Sequence, residues 1–133
     1  MNQDSNRRAV HTDRAPVPKF SYSQGVVAGD LLFVSGQGPV DPVTKVAPEG
    51  FGDQVRTTLD NVAAIAEAAG ARLADAVRVG VYLADLENFA EMDAIYREYF
   101  QSPLPARTTV GAALRDIAIE IDAVVAVRRD SGQ

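Results

Sequence analysis

The stretch Pro105–Val127, PARTTVGAALRDIAIEIDAVVAV, decides how this chain is read. Its second half alternates strictly. Ile119, Ile121, Ala123, Val125 and Val127 fall on one side, and Glu120, Asp122, Val124, Ala126 and Arg128 on the other. A period of two with one continuous apolar side marks a half-buried β-strand. The first half, around Arg107-Thr108-Thr109-Val110, reads as a second strand. A tight turn at Arg115-Asp116 would pair the two. Arg107 would then lie opposite Val124, Thr109 opposite Asp122 and Gly111 opposite Glu120. Directly paired residues share a face, so this register expects Arg107, Thr109, Glu120 and Asp122 on one side of a sheet, away from the apolar packing.

Such a face can be a solvated surface. It can also be a site for a small carboxylate. The arginine fork matches a carboxylate bidentately, and a nearby glutamate can activate water. In the expected register Glu120 stands about 13 Å along the ladder from Arg107. That is far for two groups serving one small molecule, so the reading expects the pair to be completed across a subunit boundary.

Outward from this stretch, the chain has 133 residues and a net charge of −5, with 47% hydrophobic and 23% charged residues. This suits one domain with a real core. The acidic balance argues against non-specific nucleic-acid binding, which needs Lys and Arg against phosphate. There is no cysteine, and His11 is the one histidine. Disulfides, thiolate nucleophiles, Ser-His-Asp chemistry and multi-His metal sites within one chain are thereby excluded. No apolar run reaches the ~20 residues of a membrane span. The N-terminal segment lacks the apolar core of a signal peptide. A soluble cytoplasmic protein is the expectation.

Residues 1–19 read as a flexible polar leader, 20–128 as a single domain and 129–133 as a polar tail. Phe20–Val27 alternates loosely, Gly29-Asp30 is a hairpin signal and Leu31–Val34 an apolar strand. Ser35-Gly36 ends that strand. A hydroxyl followed by glycine can offer an O–H and an open N–H to an anion, or can be a plain Gly-Pro loop. From Asp53 the period becomes 3.6, with Val55, Leu59, Val62 and Ile65 in one stripe and Gly70 as the C-terminal stop, predicting a helix over 53–69. Val77–Leu83 alternates as a strand. Asp85 opens a second helix with Phe89, Met92, Ile95, Tyr96, Tyr99 and Phe100 as its core stripe. The order β-β-α-β-α-β-β predicts an α+β domain with two helices on one face of a mixed sheet. Its other face mixes apolar and ionisable groups, which a closed cyclic oligomer would hide.

Five landmarks now stand in order: Tyr22-Ser23-Gln24-Gly25, Leu31–Gln37, the helix end Glu67-Ala68-Ala69-Gly70, Pro105–Val110 and Ile119-Glu120-Ile121. With them the chain resembles the Rid family of reactive-intermediate deaminases, also called YjgF-type proteins, from about Phe20 to Arg128. The resemblance implies a chorismate-mutase-like subunit in a homotrimer, with the sheets as an inner barrel and a ligand cleft at each subunit interface. It implies hydrolysis of 2-imino or 2-enamino acids, such as 2-aminoacrylate, to 2-keto acids and ammonia, with no metal or organic cofactor. It casts Arg107 as the clamp on the substrate carboxylate and Glu120 as the group that activates water. Tyr22, Ser35, Gly36 and Thr109 fall at cleft positions.

Three features depart from the family pattern. Asp93 stands where the family usually has Asn, and a carboxylate there can repel an anionic substrate. The segment between Arg107 and Glu120 is shorter and reads Leu114-Arg115-Asp116 in place of a Leu-Pro turn. Gly111-Ala112 replaces larger residues. These leave open a larger substrate, such as an aminomuconate. They also leave open a non-catalytic trimer of the same fold that binds a keto acid or similar metabolite. A ribonuclease role, also attached to the family, fits poorly with the net charge and with the lack of a His pair.

Overall fold

The computed structural model describes residues 6–128. The expected tail, 129–133, and the first five residues of the expected leader lie outside the described residues. Six strands form one mixed sheet and two helices pack on one of its faces. The elements run β1 (Arg8–Val10), β2 (Gly25–Ala28), β3 (Leu31–Gln37), α1 (Phe51–Ala68), β4 (Ala76–Leu83), α2 (Phe89–Tyr99), β5 (Ala106–Gly111) and β6 (Ile119–Ala126). In space the strands stand β1-β2-β3-β6-β4-β5.

The local signals produce these elements. Gly29, at φ 62°, turns β2 into β3, a conformation glycine adopts without a Cβ penalty. α1 buries Val55, Leu59, Val62 and Ile65 completely. It ends at Ala69-Gly70, with Gly70 at φ 79°. The Asp85 side chain accepts a hydrogen bond from the Glu87 N–H and starts a single 3-10 turn that leads into α2. α2 buries Met92, Ile95 and Tyr96 of the expected stripe. Ile119, Ile121, Ala123 and Val125 of β6 meet this helical layer, and Glu120, Asp122, Val124 and Ala126 face away.

Three expectations are corrected. The first is the leader. Arg8–Val10 pairs antiparallel with β2, and Val10 and Ala15 are buried. Gln24, itself buried, holds the segment behind this strand. Its Oε1 accepts from the Thr12 N–H at 2.7 Å. Its Nε2 donates to the carbonyls of Thr12 and Pro16 at 2.9 Å each. An edge strand made by backbone pairing leaves little trace in side-chain composition. The second is the start of β2, which begins at Gly25 and leaves Phe20–Gln24 irregular.

The third correction concerns the hairpin. β5 and β6 do not pair. β4 lies between them, parallel to β5 and antiparallel to β6. α2 supplies the crossover that a parallel pair requires. The 112–118 segment then passes over the end of β4, where the Ala112 N–H donates to Leu83 O and the Ala84 N–H to Ala118 O. A turn does form at Asp116, at φ 59°, but it spans two strand spacings, about 9.6 Å. The register therefore changes. Arg107 pairs with Val79 and through it with Ala123, while Thr108 shares a row with Gly80 and Asp122. Arg107 and Thr109 lie on the helix-covered face at its edge. Thr108 and Val110 take the open-face places that the hairpin register gives to Arg107 and Thr109.

Candidate active site

The residues singled out from the sequence divide between two concavities. Tyr22, Gly36 and Glu120 line a cleft of about 610 Å³ at the β3–β6 end of the open face. Arg107 and Asp93 line a separate recess of about 320 Å³ beside α2, with Tyr96, Arg97, Leu104 and Pro105. Thr109 lies further along β5 on the Arg107 face and lines neither. Within one chain, Arg107 and Glu120 share no cleft. They sit two strands apart, about 9.6 Å across the sheet and about 10 Å along it, and they project from opposite faces.

β6 and a bulge in β3 set the position of Glu120. Val34 pairs with Ala123 and Gln37 with Ile121, so Ser35-Gly36 contains one extra residue. The bulge brings the Gly36 backbone against the Glu120 side chain. A Cβ at Gly36 would overlap Glu120 Oε2, so glycine is what lets the carboxylate lie there. Glu120 forms no ion pair or hydrogen bond among the described residues. Burial, with a smaller push from the neighbouring Asp122 charge, lifts its carboxyl above the usual range. Asp122 in turn accepts from the Tyr82 hydroxyl at 2.9 Å. That hydrogen bond, then burial, raises the tyrosine. Ser35 is already committed. Its hydroxyl donates to Ser23 O at 2.6 Å and its N–H to Gln24 O at 2.9 Å.

The arginine recess has the opposite electrostatics. Arg107 Nη1 donates to Asp93 Oδ1 at 2.9 Å, and Arg97 Nη2 to Asp93 Oδ2 at 3.2 Å. The hydrogen bond from Arg107 holds the Asp93 carboxyl below its ordinary range, against the cost of burial. The Arg107 guanidinium also lies 4.6 Å from the Tyr96 ring centroid and 5.5 Å from that of Phe89. An arginine over aromatic faces is held in place by the ring quadrupoles. Asp93 thus faces the recess, as the sequence left open, and it neutralises the arginine rather than standing alone. The aromatic stripe of α2 was read as core. Tyr96 is core, and Tyr96 and Phe89 also form the floor under Arg107. Their spacing carries no signal that separates the two roles.

Several supports were missed. Asn61 of α1 donates from Nδ2 to Gly38 O and Val40 O at 3.0 and 2.9 Å, fixing one wall of the larger cleft. Gln54 donates to Pro48 O and accepts from the Ala118 N–H, tying the 112–118 crossing to α1. Among the described residues, no three His, Asp or Glu side chains gather as a metal-binding group. No helix among them is long and apolar enough to cross a membrane.

Comparison with known proteins bears on this arrangement. The family model described as Endoribonuclease L-PSP matches residues 12–127. The 2-iminobutanoate/2-iminopropanoate deaminase of Escherichia coli is 41% identical over 127 residues, covering 92% of this chain and 98% of that protein. A RutC family protein of Pyrococcus horikoshii is 43% identical over 121 residues, covering 89% and 96%. The crystal structure of E. coli TdcF with bound serine superposes with a TM-score of 0.85 at 38% identity, covering 92% of this chain and 99% of that one. The leader correction agrees with the matched range, which begins ahead of Phe20. With its sheet order, its two helices and these relatives, the chain belongs to the Rid (YjgF) family.

Proposed function

We propose that this protein is a cofactor-free hydrolase of small 2-imino and 2-enamino acids, releasing a 2-keto acid and ammonia. The observation that carries the reading is Glu120, a half-buried carboxylate without a cationic partner, set in a cleft against a glycine. Such a group is placed to take a proton from water near neutral pH. A 2-iminium carbon is already electrophilic, so a held substrate and an aimed water supply most of what catalysis needs. Arg107 binds the substrate carboxylate. Glu120 accepts a proton as water oxygen bonds to the iminium carbon and returns it to the nitrogen of the carbinolamine; as the C–N bond breaks and C=O forms, Glu120 takes the remaining O–H proton and passes it to the departing ammonia. Tyr22 and Gly36 form the wall around the reacting carbon.

Arg107 and Glu120 project from opposite faces of one sheet, so the complete site takes Arg107 from one subunit and Glu120 from the next. A cyclic trimer, which the resemblance implies, supplies that geometry. The open sheet face favours association, since Leu31, Phe33 and Val110 are exposed on it. The reading also expects a cytoplasmic protein.

A second reading has one observation in its favour. Arg107 is already paired with Asp93, so a carboxylate ligand must compete for it. A trimer that binds a keto acid without turnover would tolerate that competition. Keto-acid release from freshly generated 2-aminoacrylate separates the two. Acceleration over buffer is expected. Binding of pyruvate without acceleration would leave only the binding role.

A further inference from the structure

The larger cleft carries charge that the hydrolysis of a simple imino acid does not use. Lys19, Lys45 and Arg115 line it, and Glu120 is the one acidic residue in its lining. The chain has 18 acidic and 13 basic residues, so three cations to one carboxylate runs against its composition. None of the three pairs with a carboxylate among the described residues, a state they share with Arg7, Arg8, Arg78 and Arg128. Asp41 lines the small adjoining recess with Lys19 and Lys45, but its Oδ1 is taken by the N–H groups of Val43 and Thr44.

The three cations come from three separately anchored segments. Lys19 follows the leader that Gln24 holds. Lys45 sits at φ 70° in a turn closed by its own N–H to Asp41 O at 2.9 Å. Arg115 lies on the 112–118 crossing that Gln54 ties to α1. The same lining includes the apolar side chains of Phe20, Tyr22 and Leu114. At about 610 Å³ the cleft falls within the range of drug-sized ligand sites, about 300–1,000 Å³. It is roomy for a three- or four-carbon acid.

We propose that this cleft prefers 2-imino acids with a second carboxylate at the far end of the chain, held by Lys19, Lys45 and Arg115. The inference rests on the deaminase reading of the same site and names its substrate class. The reacting carbon lies at Glu120, the methylene chain crosses this apolar lining, and the distal carboxylate meets the cations. Arg115 and the altered turn around it then have a role in recognition.

The test compares two stable keto acids, 2-ketoglutarate and 2-ketobutanoate, by calorimetry on the intact protein at low salt. The dicarboxylate is expected to bind roughly fivefold tighter, the sum of modest exposed ion pairs. That ratio is expected to fall toward one in 0.5 M salt and in the Lys19→Gln/Arg115→Gln double variant. Equal or weaker binding of the dicarboxylate overturns the proposal. So does a preference that both salt and the double variant leave in place. Hydrolysis of 2-iminobutanoate and of 2-iminoglutarate is followed alongside. Hydrolysis without a dicarboxylate preference defeats this inference alone. The preference without hydrolysis supports the anion subsite and defeats the deaminase reading.

Discussion

The two sides of the sheet hold their charges in opposite ways. On the helix side, Arg107 is fully provided for. It has Asp93 at 2.9 Å, with Arg97 beyond, and two aromatic rings beneath it. On the open side, Glu120 lies against Gly36 with no cation, beside a second carboxylate. The first arrangement stabilises a charge and fixes its direction. The second destabilises a charge and leaves it reactive. A carboxylate-holding group needs the former and a proton acceptor needs the latter. The contrast is the one that the proposed roles of the two residues require.

The sharpest way to break this contrast is to remove the arginine. Arg107→Ala is expected to cut kcat/KM for 2-aminoacrylate hydrolysis by roughly 10²-fold or more, since the imine carbon is no longer aimed. An effect under threefold would remove Arg107 from the mechanism.

Glu120→Gln is expected to lower kcat by about 10²-fold while leaving keto-acid affinity nearly unchanged. In the wild type, the rate should fall with acid through an apparent pKa above the ordinary carboxylate range, because the ionised form accepts the proton. Stability gives a second readout. Folding favours the neutral form of Glu120, so its contribution is present below the unfolded pKa and is lost as pH rises through the raised folded value. Glu120→Gln should therefore raise Tm more at pH 7 than at pH 4. A uniform change in Tm would contradict the desolvated state.

Gly36→Ala probes the same site from the backbone. The new methyl meets the flexible end of Glu120, so stability should change by less than ~1 kcal/mol while kcat drops about tenfold. Loss of folding instead would show that the glycine serves the bulge and not the carboxylate.

Asp93→Asn has the smallest expected effect and the most specific one. Freed of its counter-charge, Arg107 should bind pyruvate roughly threefold tighter. Asp93 has a depressed pKa, so the stability it contributes is present above the unfolded value, about 3.9, and is lost as pH falls through the folded value. The wild type should lose more stability than the variant on acidification below about pH 4. Parallel acid-denaturation curves would mean that the pair contributes nothing.

What could be read from the sequence follows the range of the interactions. The alternation of Ile119–Ala126 and the stripe of α1 are local, and they placed the strand, the helix and the face of Glu120 correctly. The face of Arg107 depended on which strand β5 would pair with. A short connection favours a hairpin, and only the insertion of β4 through the α2 crossover defeats it. The same long-range step hid the Asp93–Arg107 pair, because helix and strand meet only after β5 takes the sheet edge. The leader was misread for another reason. Arg8–Val10 joins the sheet through its backbone, and its anchor is the amide of Gln24, which alone looks like any polar residue. The alternation offered Arg107 and Glu120 as a candidate pair, the resemblance added Tyr22, Ser35, Gly36 and Thr109, and the register put the pair on opposite faces.

In the proposed site, one chain's Arg107 works with another chain's Glu120. Mixing two inactive variants tests it most directly. Arg107→Ala and Glu120→Gln proteins, co-refolded in equal amounts, should recover activity. In a randomly mixed ring about a quarter of the interfaces would hold an intact arginine facing an intact glutamate, giving roughly that fraction of wild-type activity. If mixed oligomers form and no activity returns, the two residues do not share a site across a subunit boundary.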